Sequence, residues 1–219
     1  MQTEVIPLFP LGSVLVPHLV LPLHIFEPRY RTLVANLNDR AEEDRYFGVV
    51  AIREGSEVGA DALPSLYPVG TTAVLTHTAA LPDGRFDIST RGDRRFRIVD
   101  LDDSLPYLQA RVEYLDEPAD GATPELVDTV RTRFTEYRAI LDPSSEGDSS
   151  ALPSDPEVLS YLVTAVIVIA LHTRQSLLEA FTTAMRLDML ARLLRRESAI
   201  LQTIPSLPTW DLPRERNLN

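Results

Sequence analysis

Cysteine and lysine are both missing from the 219 residues. Without cysteine there is no disulfide, no thiol nucleophile and no thiolate zinc site. All 21 basic residues are arginine. A Walker A loop needs a lysine on the phosphates, so none can be built here. A Ser–Lys dyad, a Schiff base and a lysine general base fall with it. No GxSxG elbow and no phosphate-cradling glycine loop occurs either. Long apolar runs are also lacking. The most apolar stretch, Val158 to Leu171, is shorter than the roughly 20 residues that span a bilayer, and it holds Ser160 and Thr164. It reads as a buried helix. The opening Met1-Gln2-Thr3-Glu4 has no basic region, and Pro7, Pro10 and Pro17 interrupt the next segment, so no signal peptide is expected and the cytoplasm is the expected location.

The apolar fraction of 44% and the charged fraction of 24% suit an ordinary globular chain. The net charge of −11 is concentrated: residues 100–157 hold 15 acids against 4 arginines. This acidic middle serves solubility. It leaves no basic face broad enough for nucleic acid.

The first half reads as short strands divided by turns. Val5 to Phe9, Leu21 to Phe26, Tyr46 to Ile52, Gly70 to Thr78, Arg85 to Thr90, Arg94 to Val99 and Tyr107 to Leu115 are the strand candidates. Prolines confine the first two to edges. Asp83-Gly84 predicts a hairpin with a type I′ turn, and Arg91-Gly92-Asp93 reads as a turn. Strands at this spacing point to a small barrel or folded sheet. One helix interrupts them, with Pro28 in its first turn and Tyr30, Leu33, Val34 and Leu37 on one face.

The second half reads as helices. Thr123-Pro124-Glu125 caps one, with Leu126, Val130, Phe134, Tyr137 and Leu141 at helical spacing. Asp142 to Asp155 is a flexible connection by composition. Ser154-Asp155-Pro156-Glu157 caps a second helix through the apolar stretch. Thr173 is placed to cap a third, ending near Leu201. The fold expected is α+β: a β-rich pseudo-barrel at residues 1–118 packed on a helical bundle at 119–204, with an extended tail at 205–219.

His18, His24 and Glu27 are the one cluster with metal-ligand residue types, but their spacing fits no metal motif. His77 and His172 stand alone, and His172 reads as the end of an apolar helix. Asp100, Asp102 and Asp103 lack the glycine and distal glutamate of a calcium loop and read as a solvated turn before Pro106. Arg91, Arg94, Arg95 and Arg97 are expected to pair with Asp87, Asp93 and Asp100.

At the N-terminus the pattern becomes specific. Ile6-Pro7-Leu8-Phe9-Pro10-Leu11-Gly12 is followed by Val16-Pro17 and then by Leu21-Pro22-Leu23-His24-Ile25-Phe26-Glu27-Pro28-Arg29-Tyr30-Arg31. Phe47-Gly48-Val49-Val50, Glu57-Val58-Gly59, Val69-Gly70-Thr71, Asp83-Gly84-Arg85, Arg94 to Ile98 and Pro106-Tyr107 continue in order. The series resembles the N-terminal substrate-binding domain of the Lon proteases, in its stand-alone bacterial form.

The resemblance implies binding to unfolded or extended polypeptide segments, with neither the ATPase nor the peptidase of full Lon proteases. It implies no catalytic residue, metal or cofactor. A regulatory or adaptor subunit docking on a protease or other complex is the alternative. An enzyme with an unrecognised carboxylate and histidine site is the third reading. The binding site is expected where the first strands meet the first helix. Phe9, Leu11, Phe26 and Tyr30 would give its apolar surface, and Glu27, Arg29 and Arg31 its rim. The competing reading of the last three is a capping carboxylate and two arginines bracing the turn. The helical face near Phe181 and Met185 is the next candidate.

Overall fold

A computed structural model of the protein describes residues 3–54, 65–118, 121–142 and 152–203. The Glu57-Val58-Gly59 motif, most of the connection after Asp142 and the tail from 205 lie outside them.

Among the described residues seven strands form one sheet: β1 (Thr3–Leu11), β2 (Val20–Ile25), β3 (Tyr46–Glu54), β4 (Ser65–Leu66), β5 (Val69–Ala80), β6 (Phe86–Asp102) and β7 (Gln109–Tyr114). The path β1-β7-β6-β5-β3 closes on itself, because β1 also pairs in parallel with β3, from Leu8↔Gly48 to Leu11↔Ala51. This ring is the expected pseudo-barrel, but β1, expected at an edge for its prolines, lies within it, pairing with β7 as far as Pro7 and with β3 from Leu8 onward. Closure satisfies the strand edges inside the ring. Ile6, Leu8, Val50, Phe96, Ala110 and Val112 fill one part of its core.

Strands β5 and β6 are longer than the ring needs. Their far ends form a hairpin, to which β2 adds along β6 from Val20↔Arg91 to Ile25↔Phe86. The result is a three-stranded flap in the order β2-β6-β5. Helix α1 (Pro28–Asn38) covers its inner face with Tyr30, Leu33, Val34 and Leu37, which pack with Phe9, Ile25, Phe47 and Ile88. Burying Leu33 and Leu37 contributes about 2 kcal/mol each.

Two sequence expectations about the flap are corrected. Arg91-Gly92-Asp93 is strand, and β6 runs unbroken through it. Gly92 is there for space: a Cβ would lie 2.3 Å from the Val16 carbonyl oxygen. Its N–H donates to Leu19 O, and its own carbonyl accepts from His18 N, both at 2.8 Å. The hairpin turn is not type I′, because Gly84 has φ of +80° while Asp83 has no positive φ. Gly84 N donates to Leu81 O, and Leu81 N to Arg85 O, both at 2.9 Å. Those bonds make a three-residue loop, with Pro82 supplying the first turn φ and Gly84 the left-handed position.

The helices are α2 (Pro124–Leu141), α3 (Pro156–Val166), α4 (Leu171–Leu178) and α5 (Thr183–Thr203). Thr123 and Asp155 cap α2 and α3, accepting from the N–H groups of Leu126 and Val158. The expected single helix through the apolar stretch is broken after Val166. Val166-Ile167-Val168-Ile169 is β-branched throughout, which lowers helix propensity. The freed groups find partners: Val168 N donates to the Tyr137 hydroxyl at 3.1 Å, and Arg174 to the carbonyls of Thr164 and Ile167 at 3.2 and 2.8 Å. Thr173 therefore caps nothing; it sits in the first turn of α4 with an exposed His172 beside it. The last helix starts later, where the Thr182 hydroxyl accepts from Met185 N at 3.1 Å. Among the described residues no helix is long and apolar enough to cross a membrane.

Strand and helix halves meet at Glu117. Its Oε2 accepts from Arg95 Nη2 at 2.7 Å and from the Tyr161 hydroxyl at 2.6 Å. Its Oε1 accepts from Arg186 Nη2 at 2.7 Å and from Thr183 Oγ1 at 2.9 Å. Arg95 also donates to the carbonyls of Leu178 and Ala180, and Arg186 to that of Leu177 and to Ser160 Oγ. The Arg186 guanidinium lies 3.8 Å from the Tyr161 ring centroid. The expected arginine pairing thus exists, but with a different partner: Arg95 reaches Glu117, while Asp100 takes Arg111 and Asp87 takes His24.

Candidate polypeptide-binding surface

Strand β2 ends at Ile25, whose side chain is buried under α1. Phe26 then turns outward and is 51% exposed. Glu27 is extended, with φ −67° and ψ 135°, and its carbonyl accepts from Tyr30 N and Arg31 N. Pro28 opens the helix with φ already set.

The structure separates the seven residues expected here. Phe9 and Tyr30 are buried, their rings stacked with centroids 4.0 Å apart. They support the turn from beneath. Leu11 is half-buried against the same cluster. Glu27 makes no side-chain cap; its carboxylate takes Arg29 Nη2 at 2.9 Å. The Arg29 guanidinium lies 4.6 Å from the Tyr30 ring centroid. Arg31 reaches the flap, where its Nη2 would be 2.3 Å from a Cβ at Gly84. The outer surface of the turn is therefore Phe26 with the Glu27–Arg29 pair, and Arg31 ties α1 to the hairpin.

Beside Phe26 the flap carries an ordered polar row. His24 Nδ1 lies 2.6 Å from Asp87 Oδ1, and Arg85 Nη1 lies 3.1 Å from His24 Nε2. Asp83 Oδ2 accepts from Arg85 Nε at 2.6 Å. His18 is elsewhere: at φ +68°, it meets Glu157 at 3.1 Å. Among the described residues no three histidines or carboxylates converge on a metal position.

The β2 edge opposite β6 meets no strand among the described residues. Since Leu19 faces Gly92 through a hydrogen bond, strand alternation turns the backbone of Val20, Pro22 and His24 toward that open edge. Pro22 removes one donor from it. A second apolar surface is formed by Phe181, 72% exposed just before α5, and Met185 in its first turn, 52% exposed.

Sequence reading missed the Glu117 cluster. One signal was available: Arg186 occupies the apolar stripe of α5, three residues after Thr183 and four before Leu190, all buried. A charge on such a stripe must find a buried partner.

Comparison with known proteins bears on this geometry. Residues 5–196 match the family model described as the ATP-dependent protease La (LON) substrate-binding domain. The Lon protease of Escherichia coli strain K12 is 30% identical over 205 residues, covering 90% of this chain and 25% of that protein. Lon protease 2 of Myxococcus xanthus is 28% identical, over 91% of this chain and 24% of that protein. The chain thus spans about a quarter of the length of the curated relatives it matches. Among solved structures, a Lon N-terminal domain protein from Xanthomonas campestris superposes with a TM-score of 0.62 at 24% identity, covering 86% of this chain and 98% of that one. The N-terminal domain of Mycobacterium avium complex Lon protease gives 0.61 at 17%, covering 88% and 98%.

Proposed function

The chain belongs to the Lon substrate-binding domain family, and from that premise we propose that it binds exposed, extended segments of other polypeptides and performs no chemistry on them. The observation that carries this reading is the open β2 edge ending in an outward Phe26. An extended client adds along such an edge through main-chain hydrogen bonds, and side chains near the end supply apolar contact. Pro22 leaves the edge short of a donor, so affinity rests on Phe26 and is modest, on the order of micromolar. Leu11 borders the patch, and Phe9 and Tyr30 hold it rigid from beneath. The Glu27–Arg29 pair and Arg31 form a polar rim that tolerates many sequences. The absence of lysine removes the Walker A loop and the Ser–Lys dyad, so the expected outcome of ATPase and casein assays on the purified chain is no turnover, and activity in either would overturn this part of the reading.

The test is binding of a permanently unfolded model protein, followed by titration calorimetry. Phe26→Ser lies on the surface and leaves the core intact. It should weaken binding about tenfold, the loss of one apolar anchor. Unchanged binding, with circular dichroism intact, would move the site away from β2. The exposed Phe181 and Met185 favour a second reading, an adaptor docking through its helices on one larger partner. Binding lost in Phe181→Ser and kept in Phe26→Ser would select it.

A further inference from the structure

The flap has a second open edge. Strand β3 pairs with β5 only from Tyr46↔Val74 to Val49↔Thr71. Leu75 N still donates to Arg45 O at 2.8 Å, and beyond it no strand among the described residues lies along β5. Leu81 N donates to Arg85 O across the hairpin, so strand alternation turns the backbone of His77 and Ala79 toward β6. The N–H and C=O groups of Thr78 and Ala80 then face outward. No proline interrupts this edge, in contrast to β2. It borders a cleft of about 420 Å³ between β5 and the end of α1, lined by Asn38, Arg45, His77 and Thr78 among others. Thr78 Oγ1 donates to Asn38 Oδ1 at 3.3 Å, which forms part of the wall.

The charges beside the cleft are uneven. Between the lining residues Asn38 and Arg45 the chain carries Asp39, Glu42, Glu43 and Asp44, all exposed, against Arg40. Arg45 is engaged with carbonyl oxygens, donating to Arg40 O at 3.0 Å and Asn38 O at 3.1 Å. At the hairpin end Arg85 is paired with Asp83, and Arg31 packs on Gly84. The carbonyl bonds leave the Arg45 charge in place, so the segment from Asp39 to Arg45 beside the cleft carries four carboxylates against two guanidinium groups and is acidic on balance.

We propose that the Thr76–Ala80 edge of β5 takes an extended, basic polypeptide segment as an added strand, lying in line with β3 and directing an arginine or lysine toward Asp39–Asp44. The backbone groups of Thr78 and Ala80 require an extended main chain as partner. The four carboxylates select the sign of its charge and make binding sensitive to salt. This inference rests on the polypeptide binding proposed for the β2 edge and names the class of segment bound at a second edge of the same flap.

Thr78→Pro blocks the edge without touching the β6 ladder, since the N–H it removes faces outward. The probes are a short peptide of alternating Thr and Arg, and its counterpart with Glu for Arg. Wild type binds the arginine peptide in preference, and Thr78→Pro weakens that binding about tenfold, the loss of one main-chain hydrogen bond and the placing of the proline ring on the edge. The triple change Glu42→Gln, Glu43→Gln and Asp44→Asn reduces the preference and flattens the salt dependence. Ala80→Pro, whose N–H also faces outward, is the second block should Thr78→Pro fail to fold. Equal binding by wild type and a folded proline variant overturns the proposal, as does preference for the glutamate peptide. If the unfolded model protein still binds and only Phe26→Ser weakens it, this inference alone fails. If wild type binds no polypeptide, both readings fall.

Discussion

Glu117 accepts from four side chains, two of them buried arginines. Its carboxylate is the negative group of the cluster, between a strand residue and a helix residue 91 positions apart. Glu117→Gln keeps the shape and removes the charge. Arg95 and Arg186 would then face an amide that can accept through one atom only. Breaking a buried pair in this way costs about 3–5 kcal/mol. A guanidinium titration should show the midpoint falling with its slope preserved. A midpoint equal to wild type would show that solvent, and not Glu117, balances the two arginines.

Three tyrosines act at the same scale. Burial raises the hydroxyls of Tyr46, Tyr114 and Tyr161 above the usual tyrosine value of about 10. The Glu4 carboxylate, which accepts from both Tyr46 and Tyr114, raises those two further; at Tyr161 the charges of Arg186 and Arg95 oppose the rise. The folded chain holds these protons more tightly than the unfolded chain does. Their stabilisation is complete below the unfolded value and declines as pH climbs past about 10, where the unfolded state ionises first. In an alkaline absorbance titration, part of the tyrosinate signal from the seven tyrosines should appear only with cooperative unfolding. Smooth titration of all seven near 10 with unchanged circular dichroism would refute this.

At the scale of elements, the decisive piece is β6. It serves the ring with one end and the flap with the other, and Gly92 lies within it. The segment before β2 closes on Gly92 through two backbone hydrogen bonds. Gly92→Ala would drive a methyl into the Val16 carbonyl, where no flexible side chain can yield. The cost is about 2 kcal/mol, a fall in Tm of roughly 4–8 °C for a chain of this size. An unchanged Tm would mean that the segment moves freely and does not hold β2 in register.

For the molecule as a whole, the arrangement keeps the two proposed binding edges apart from the structural core. The ring is closed and filled, α3 and α5 are tied to it through Glu117, and the flap continues β5 and β6 beyond the ring with two edges that meet no strand among the described residues. Main-chain recognition of the kind proposed for these edges is indifferent to most side chains, so selectivity at the β5 edge would come from the neighbouring charges alone. The substitutions Phe26→Ser and Thr78→Pro address one edge each.

Local signals in the sequence determined much of this protein. The missing lysine and cysteine removed whole classes of chemistry before any fold was considered. Helix α1, with Pro28 first and Tyr30, Leu33, Val34 and Leu37 inward, was legible because its period and cap lie within one short segment. Thr123 and Asp155 were legible as caps for the same reason. The ordered motifs from Ile6 to Tyr107 gave the family. Tertiary structure decided the rest. Whether Arg91-Gly92-Asp93 turns or extends depends on the backbone of His18 and Leu19, more than 70 residues away. The break after Val166 depends on a hydroxyl from α2 and a guanidinium from α4. Phe9 and Tyr30 have the composition of a binding surface, but they stack on each other under α1, leaving Phe26 outside. A strand edge is open only because no other strand reaches it, and a charge can be buried only when its partner arrives from elsewhere in the chain. Both conditions are non-local, so no window of sequence contains them.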